Sequence, residues 1–90
     1  NINLLLHAMK HYNEDVVVKL LKLYKIIHES QDLLLFVASL NENLSSKMIM
    51  SLIDRISEFF PSGQLTEMAN IFKDLGGLDI SDQILNKVSK

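Results

Sequence analysis

The chain has 90 residues, a net charge of −2 and an apolar fraction of 48%. The absence of cysteine excludes disulfides, thiolate metal ligands and a cysteine nucleophile. The charge balance lacks the clustered positive excess that is typical of nucleic-acid-binding domains, and no apolar run approaches the roughly 20 residues that a membrane-spanning helix needs. The composition therefore indicates a small folded domain, or part of a larger protein, with an apolar core.

Apolar residues at helical spacing predict two helices in the first third of the chain. The apolar face of the first helix consists of Ile2, Leu5, Leu6 and Met9. The segment HYNED then breaks the pattern, and it provides Asn13 or Asp15 as the N-cap of the second helix. The apolar face of this second helix consists of Val16, Val17, Leu20, Leu21, Tyr24 and Ile27.

The middle of the chain predicts a third and a fourth helix. The segment ESQD offers Ser30 or Asp32 as the cap of the third helix, whose apolar face is Leu33, Leu34, Val37 and Ala38. The segment NENLSS separates the two helices, with Asn43 or Ser45 as the next cap. The fourth helix has the longest apolar face, made of Met48, Ile49, Leu52, Ile53, Ile56, Phe59 and Phe60.

The last third predicts a fifth and a sixth helix after the PSG break. The apolar positions are Leu65, Met68, Ala69 and Phe72, followed by Ile80, Ile84, Leu85 and Val88. Gly76 and Gly77 are predicted at the C-terminus of the fifth helix, where a left-handed residue is favoured. Asp79 is predicted as the N-cap of the sixth helix. Strict alternation of apolar and polar residues never persists, so we predict no strand.

The six predicted helices form three similar units. Each unit has a short apolar helix, a turn rich in Asn, Asp, Glu or Gly, and a second amphipathic helix. Leu5, Leu34 and Ala69 take equivalent places, at offsets of 29 and 35 residues that average about 32. We therefore predict an all-α fold in which three stacked helical hairpins form a short α-solenoid. The repeat units of this single domain are about 1–30, 31–62 and 63–90, and a closed six-helix bundle is the alternative.

The third unit, LTEMANIFKDLGGLDISDQILNKVSK, resembles the octotricopeptide and heptatricopeptide repeats and the helical region of proteins with a FAST-kinase-like or RAP domain. The residues that carry the resemblance are Ala69, Leu75, Asp79, Ile84 and Leu85. The resemblance implies an organelle, usually the mitochondrion or chloroplast, and the binding or processing of organellar RNA. Some members of these families look like structural parts of divergent mitochondrial ribosomes.

The resemblance and the acidic charge together lead to a functional expectation. We expect a non-catalytic structural or binding component of an organellar ribonucleoprotein, specifically a mitochondrial ribosome, at its periphery and held chiefly by protein contacts. The expected location is the mitochondrion, with the cytoplasm as the alternative. The expected partners are other proteins and RNA, with no cofactor, membrane or small-molecule substrate. The alternative function is a protein–protein interaction adaptor or a helical domain without an RNA role.

Two sets of residues are candidates for partner contacts. Lys19, Lys22 and Lys25 lie opposite the apolar face of the second helix, and with Lys10 they are the candidate contacts to RNA phosphate or to an acidic partner. An ordinary solvated face is the alternative interpretation. Phe59 and Phe60 are candidates for docking a protein, because a phenylalanine buried in a partner can dominate an interface. Packing on the next repeat is the alternative for this pair.

Three further patterns are interpreted as structural. His7 and His11 have the spacing of two zinc ligands on one helix face, but the protease motif needs a glutamate where this chain has Ala8. We therefore predict a helix C-terminus here, where His and Lys suit the helix dipole, and no metal site. The sequon at residues 43–45 is interpreted as the start of a helix. Asp54 and Glu58 are interpreted as part of a solvated face, so we predict no catalytic residue.

Overall fold

Six helices form where the apolar spacing predicts them in the computed structural model, which describes residues 2–24 and 30–89. The helices are α1 (Ile2–Lys10), α2 (Glu14–Tyr24), α3 (Ser30–Asn43), α4 (Ser46–Ile56), α5 (Ser62–Asp74) and α6 (Leu78–Val88). These two segments contain no strand. The all-α prediction is therefore confirmed.

The helices pack as three hairpins in two layers. Each hairpin pairs two consecutive helices: α1 with α2, α3 with α4, and α5 with α6. One layer runs α1–α3–α5 and the other runs α2–α4–α6. Within the described segments, no pair of Cα atoms within 8 Å joins α1 to α5 or α6. The hairpins are therefore stacked in an open row, as predicted for a short α-solenoid, and the first and last helices do not meet in a ring.

The repeat period is more regular than the sequence comparison predicted. Helices α2, α4 and α6 begin at residues 14, 46 and 78, that is, every 32 residues. The same interval joins Leu5, Val37 and Ala69 in the other layer, and all three side chains are fully buried. The predicted equivalence of Leu34 with Leu5 and Ala69 is wrong, because Leu34 is 48% exposed. Val37 occupies that place in the second hairpin.

The core lies between the two layers. Its largest fully buried side chains include Phe36 of α3 and Phe72 of α5, each with no exposed surface. Helix α3 contributes most to the middle of the stack, because it packs against α1, α4 and α5. Phe36 was not among the apolar positions predicted for this helix. Its neighbours Leu34 and Leu35 point outward and are both more than 40% exposed.

The turns inside the hairpins follow from their capping residues. Asn13 is the cap of α2, because its Oδ1 accepts hydrogen bonds from the amides of Asp15 and Val16. Ser45 is the N-cap of α4, and its side chain accepts from the Met48 amide at 3.3 Å. These two caps are 32 residues apart. The same interval leads to Gly77, which is the N-cap of α6.

The prediction of Asp79 as the cap of α6 is wrong. Helix α5 ends in a turn in which Gly76 has a φ of +90°. The amide of Gly77 donates to the carbonyl of Phe72 at 2.7 Å, and the amide of Gly76 donates to that of Lys73 at 3.0 Å. This pair of bonds satisfies the last carbonyls of α5. Because Gly77 completes this turn and α6 starts at the next residue, Asp79 lies in the first turn of α6, where its negative charge suits the helix dipole.

Ion pairs show that the two contacts in the α2–α4–α6 layer differ. Arg55, near the end of α4, pairs with Glu14 and Asp15 at the beginning of α2. Lys87, near the end of α6, pairs with Asp54, which is near the end of α4. The first contact thus joins opposite ends of two helices and the second joins like ends. The stack is therefore irregular in its helix directions although its sequence period is constant.

Candidate binding surfaces

Three of the four candidate RNA-contacting lysines lie exposed on the first hairpin. Lys19 and Lys22 are on α2, and Lys10 is the last residue of α1. A helix rises 1.5 Å per residue, so Lys22 lies about 12 Å along α2 from Glu14, the residue that follows the turn after Lys10. Lys25 lies outside the described residues. The hairpin therefore carries three of these lysines, but it spreads them along its length.

The beginning of α2 is acidic and is held by a cation from the next hairpin. The Arg55 guanidinium donates to Glu14 at 3.1 Å and to Asp15 at 2.6 Å. These hydrogen bonds raise the pKa of Arg55 above its ordinary value. Both carboxylates also lie in the first turn of α2, where negative charge suits the helix dipole. This cluster joins two hairpins, and no local pattern in the sequence pointed to it.

Tyr12 lies beside this cluster, in the turn between α1 and α2. Its hydroxyl is buried, and in the described part of the chain it has no hydrogen-bond partner. Burial of the phenol and the nearby carboxylate of Glu14 raise the pKa of Tyr12 to about 12, while Arg55 acts in the opposite direction. The phenol is therefore held in its neutral form, and no pattern in the sequence singles out this residue.

Replacing Tyr12 by phenylalanine tests whether this hydroxyl is unpaired. A buried polar group without a partner costs about 1–3 kcal/mol of desolvation. We expect Tyr12→Phe to raise the free energy of unfolding by about 1 kcal/mol at pH 7, measured by urea denaturation. A loss of stability would contradict this, because it would mean that the hydroxyl forms a hydrogen bond that stabilises the fold.

Tyr12→Phe also tests the pH dependence of stability that the raised pKa of Tyr12 predicts. The unfolded chain releases the Tyr12 proton near pH 10, whereas the folded chain holds it to about pH 12. Below pH 10 the phenol is neutral in both states, and stability is lost as the pH rises from 10 towards 12, because the unfolded chain releases the proton first. We expect the urea midpoint of the wild type to fall more steeply over this interval than that of Tyr12→Phe, in which only the other groups titrate. Parallel curves for the two proteins would contradict the shift.

The two histidines with the spacing of zinc ligands, His7 and His11, are exposed at the end of α1. The rings of His7 and His11 are 5.9 Å apart between centroids and lie edge to face. Helix α1 ends at Lys10, so the pair straddles its C-terminus. Across residues 2–24 and 30–89, no group of three or more His, Cys, Asp or Glu side chains is placed to hold a metal ion. The nearest acidic residues in sequence, Glu14 and Asp15, bind Arg55 instead.

The two candidate docking phenylalanines lie in the connection between α4 and α5. Phe59 and Phe60 are both half-buried and pack against the core. Their rings are 5.4 Å apart between centroids and meet edge to face, which is a favourable aromatic geometry. Part of each ring therefore stabilises the stack, and the remainder is available to a partner.

A small open groove lies between α4 and α6. It is lined by Met50, Asp54, Gln83, Asn86 and Lys87 and has a volume of about 260 Å³. Pockets for small molecules generally hold about 300–1,000 Å³ and have mainly apolar linings. The ion pair between Asp54 and Lys87 crosses this groove, so these polar groups are already occupied in joining two hairpins.

The remaining polar patterns have structural roles. The side-chain amide of Asn43 donates to the carbonyl of Ser39 at 2.9 Å, and Ser45 caps α4. The sequon therefore begins at the last residue of α3 and ends at the N-cap of α4, so its interpretation as a helix start is correct for Ser45 and wrong for Asn43. Asp54 and Glu58 are both exposed, as predicted for a solvated face, and Asp54 pairs with Lys87.

The helices in the described part are too short, or too polar, to cross a lipid bilayer. Comparisons with protein-family models, with curated proteins and with solved structures gave no match to this chain. The resemblance of the third unit to organellar helical repeats thus stays a prediction from its residues.

Proposed function

We propose that the chain is a non-catalytic helical-repeat module that serves as a structural or binding component of an organellar ribonucleoprotein, with a mitochondrial ribosome as the specific candidate. The observation that carries this proposal is the open row of three hairpins with a 32-residue interval. Hairpin stacks of this kind present extended surfaces to partners. The resemblance of the third unit to organellar repeats supplies the class of assembly.

The surface supports contacts with both protein and RNA. Large apolar side chains remain exposed on the outside of the stack, among them Leu23 at 61% and Leu78 at 56%. Lys10, Lys19, Lys22 and Lys25 provide the contacts to the RNA backbone, which would be sensitive to salt and independent of base sequence. Because the net charge is −2, these contacts are few and protein contacts provide most of the affinity.

Purification of a tagged chain from its native cells tests this proposal. We expect organellar RNA and ribosomal or RNA-processing proteins to be recovered, and RNase to remove part of this set. The double variant Lys10→Gln and Lys22→Gln should recover less RNA, with a salt slope lower by about 0.7–0.9 for each lost phosphate contact. The matched control is Lys47→Gln and Lys73→Gln, which makes the same charge change at exposed lysines on α4 and α5.

Recovery of the same RNA by both double variants would contradict the role of the first hairpin. A small set of protein partners, unchanged by RNase and free of RNA, would contradict the ribonucleoprotein proposal. That second result supports the alternative function, a protein–protein interaction adaptor. The exposed leucines on α2 and α6 are the observation that favours this alternative.

A further inference from the structure

The outer side of α2 carries a strip that no other described helix covers. Val16, Lys19 and Leu23 lie at positions i, i+3 and i+7, so they share one side of the helix. Val16 is 47% exposed and Leu23 is 61% exposed. At 100° per residue, this first strip lies about 120° around the helix from Glu14 and Asp15, which face Arg55 of α4.

Helix α6 carries a strip of matching composition. Leu78, Asp82 and Leu85 lie at positions i, i+4 and i+7. Leu78 is 56% exposed and Leu85 is 36% exposed. This last strip lies about 170° around α6 from Lys87, whose ammonium group pairs with Asp54 of α4. Each strip thus has one charged residue with one apolar residue on each side of it, and the two charges are opposite.

The repeat interval relates one residue of the last strip, Leu85, to two buried positions of the same layer. Leu21, Ile53 and Leu85 are 32 residues apart and occupy equivalent places on α2, α4 and α6. Leu21 is 3% exposed and Ile53 is fully buried, whereas Leu85 is 36% exposed. Another helix of the layer follows α2, and another follows α4. In the described part of the chain, no helix of the layer follows α6. Leu85 therefore occupies a position that is buried in both earlier helices of this layer and is left partly exposed on α6.

We propose that the two strips bind each other between copies of this chain, so that α6 of one copy packs on α2 of the next. The apolar ends of the strips cover each other, and Lys19 pairs with Asp82, since both charges lie near the middle of their strips. An ion pair across the contact already joins α2 to α4 and α4 to α6. The contact joins different surfaces of the two copies, so it leaves one strip free at each end and permits open chains.

The absence of cysteine allows a clean test by disulfide trapping. Leu23→Cys and Leu85→Cys are prepared separately, mixed in equal amounts and oxidised. We expect the mixed dimer to exceed the two homodimers together, which random pairing would only equal, because the contact joins the first strip to the last. Leu34→Cys is the matched control, since Leu34 is 48% exposed but lies on α3. Mixing it with either variant should give only random dimer.

Light scattering of the unmodified chain completes the test. We expect the weight-average mass in solution to rise with concentration beyond the mass of a dimer. Lys19→Glu should weaken association by about fivefold, the value of an exposed ion pair of about 1 kcal/mol, and Asp82→Lys should restore it. A constant monomer mass, or mixed dimers no more abundant than those of the control, would overturn the proposal. This test is independent of the RNA experiment, whose variants leave both Lys19 and Asp82 unchanged.

Discussion

Replacing Phe36 by alanine is expected to lower the free energy of unfolding by about 3–5 kcal/mol. Phe36 is fully buried, and its helix packs against α1, α4 and α5. The truncated side chain would leave a cavity in the middle of the stack that its neighbours cannot close without moving. Because small domains are stable by only about 5–15 kcal/mol, urea denaturation followed by circular dichroism should show a large shift of the midpoint.

Leu34→Ala is the matched control, in the same helix and two residues away. Leu34 is 48% exposed, so its truncation is expected to change stability by no more than about 0.5 kcal/mol. The pair distinguishes the observed orientation of α3 from the one predicted by the sequence comparison, which placed Leu34 in the core. A loss on Leu34→Ala as large as that on Phe36→Ala would contradict the observed orientation.

Replacing Gly76 by alanine is expected to cost about 1–2 kcal/mol. Gly76 has a φ of +90°, a conformation that residues with a Cβ rarely adopt. Nothing lies within 4 Å of the position that a Cβ would take, so the cost comes from the backbone and not from a clash. The change should appear as a lower urea midpoint with an unchanged slope.

Gly63→Ala is the control for this second prediction. Gly63 lies in the first turn of α5, has no left-handed backbone, and also has nothing within 4 Å of a Cβ. Alanine there restricts the unfolded chain and favours the helix, so we expect a gain of about 0.4–1 kcal/mol. Changes of the same sign at Gly63 and Gly76 would contradict the assignment of the left-handed turn.

Local signals in the sequence predicted the helices and most of their turns. Apolar spacing and the breaks at Asn13, Ser45 and Gly76 identified six helices, because capping and left-handed turns depend on residues close in sequence. The orientation of α3 was not predicted correctly. Its segment LLLFVASL is apolar at nearly every position, so its periodicity cannot tell which side is buried, and packing against α1 and α5 decides in favour of Phe36.

The candidate surfaces could also be predicted only in part from the sequence. The exposure of Lys19 and Lys22 could be predicted, because both lie opposite the buried Val17 and Leu21 on one helix. The pairing of Arg55 with Glu14 joins residues 41 positions apart, and the burial of the Tyr12 hydroxyl also depends on tertiary packing. No local spacing encodes such contacts. The strips on α2 and α6 became visible only once the structure showed which sides of these helices the described part of the chain leaves uncovered.

NMR spectroscopy of a sample with labelled methyl groups tests the open stack most directly. The proposed function rests on the open row of hairpins, and the proposed self-association rests on strips of α2 and α6 that no other described helix covers. We expect NOEs between methyl groups of α1 and α3, of α3 and α5, and of α4 and α6, and none between α1 and α6. NOEs between α1 and α6 in a dilute, monomeric sample would contradict this expectation. They would show that the six helices close into a bundle and do not form an open row.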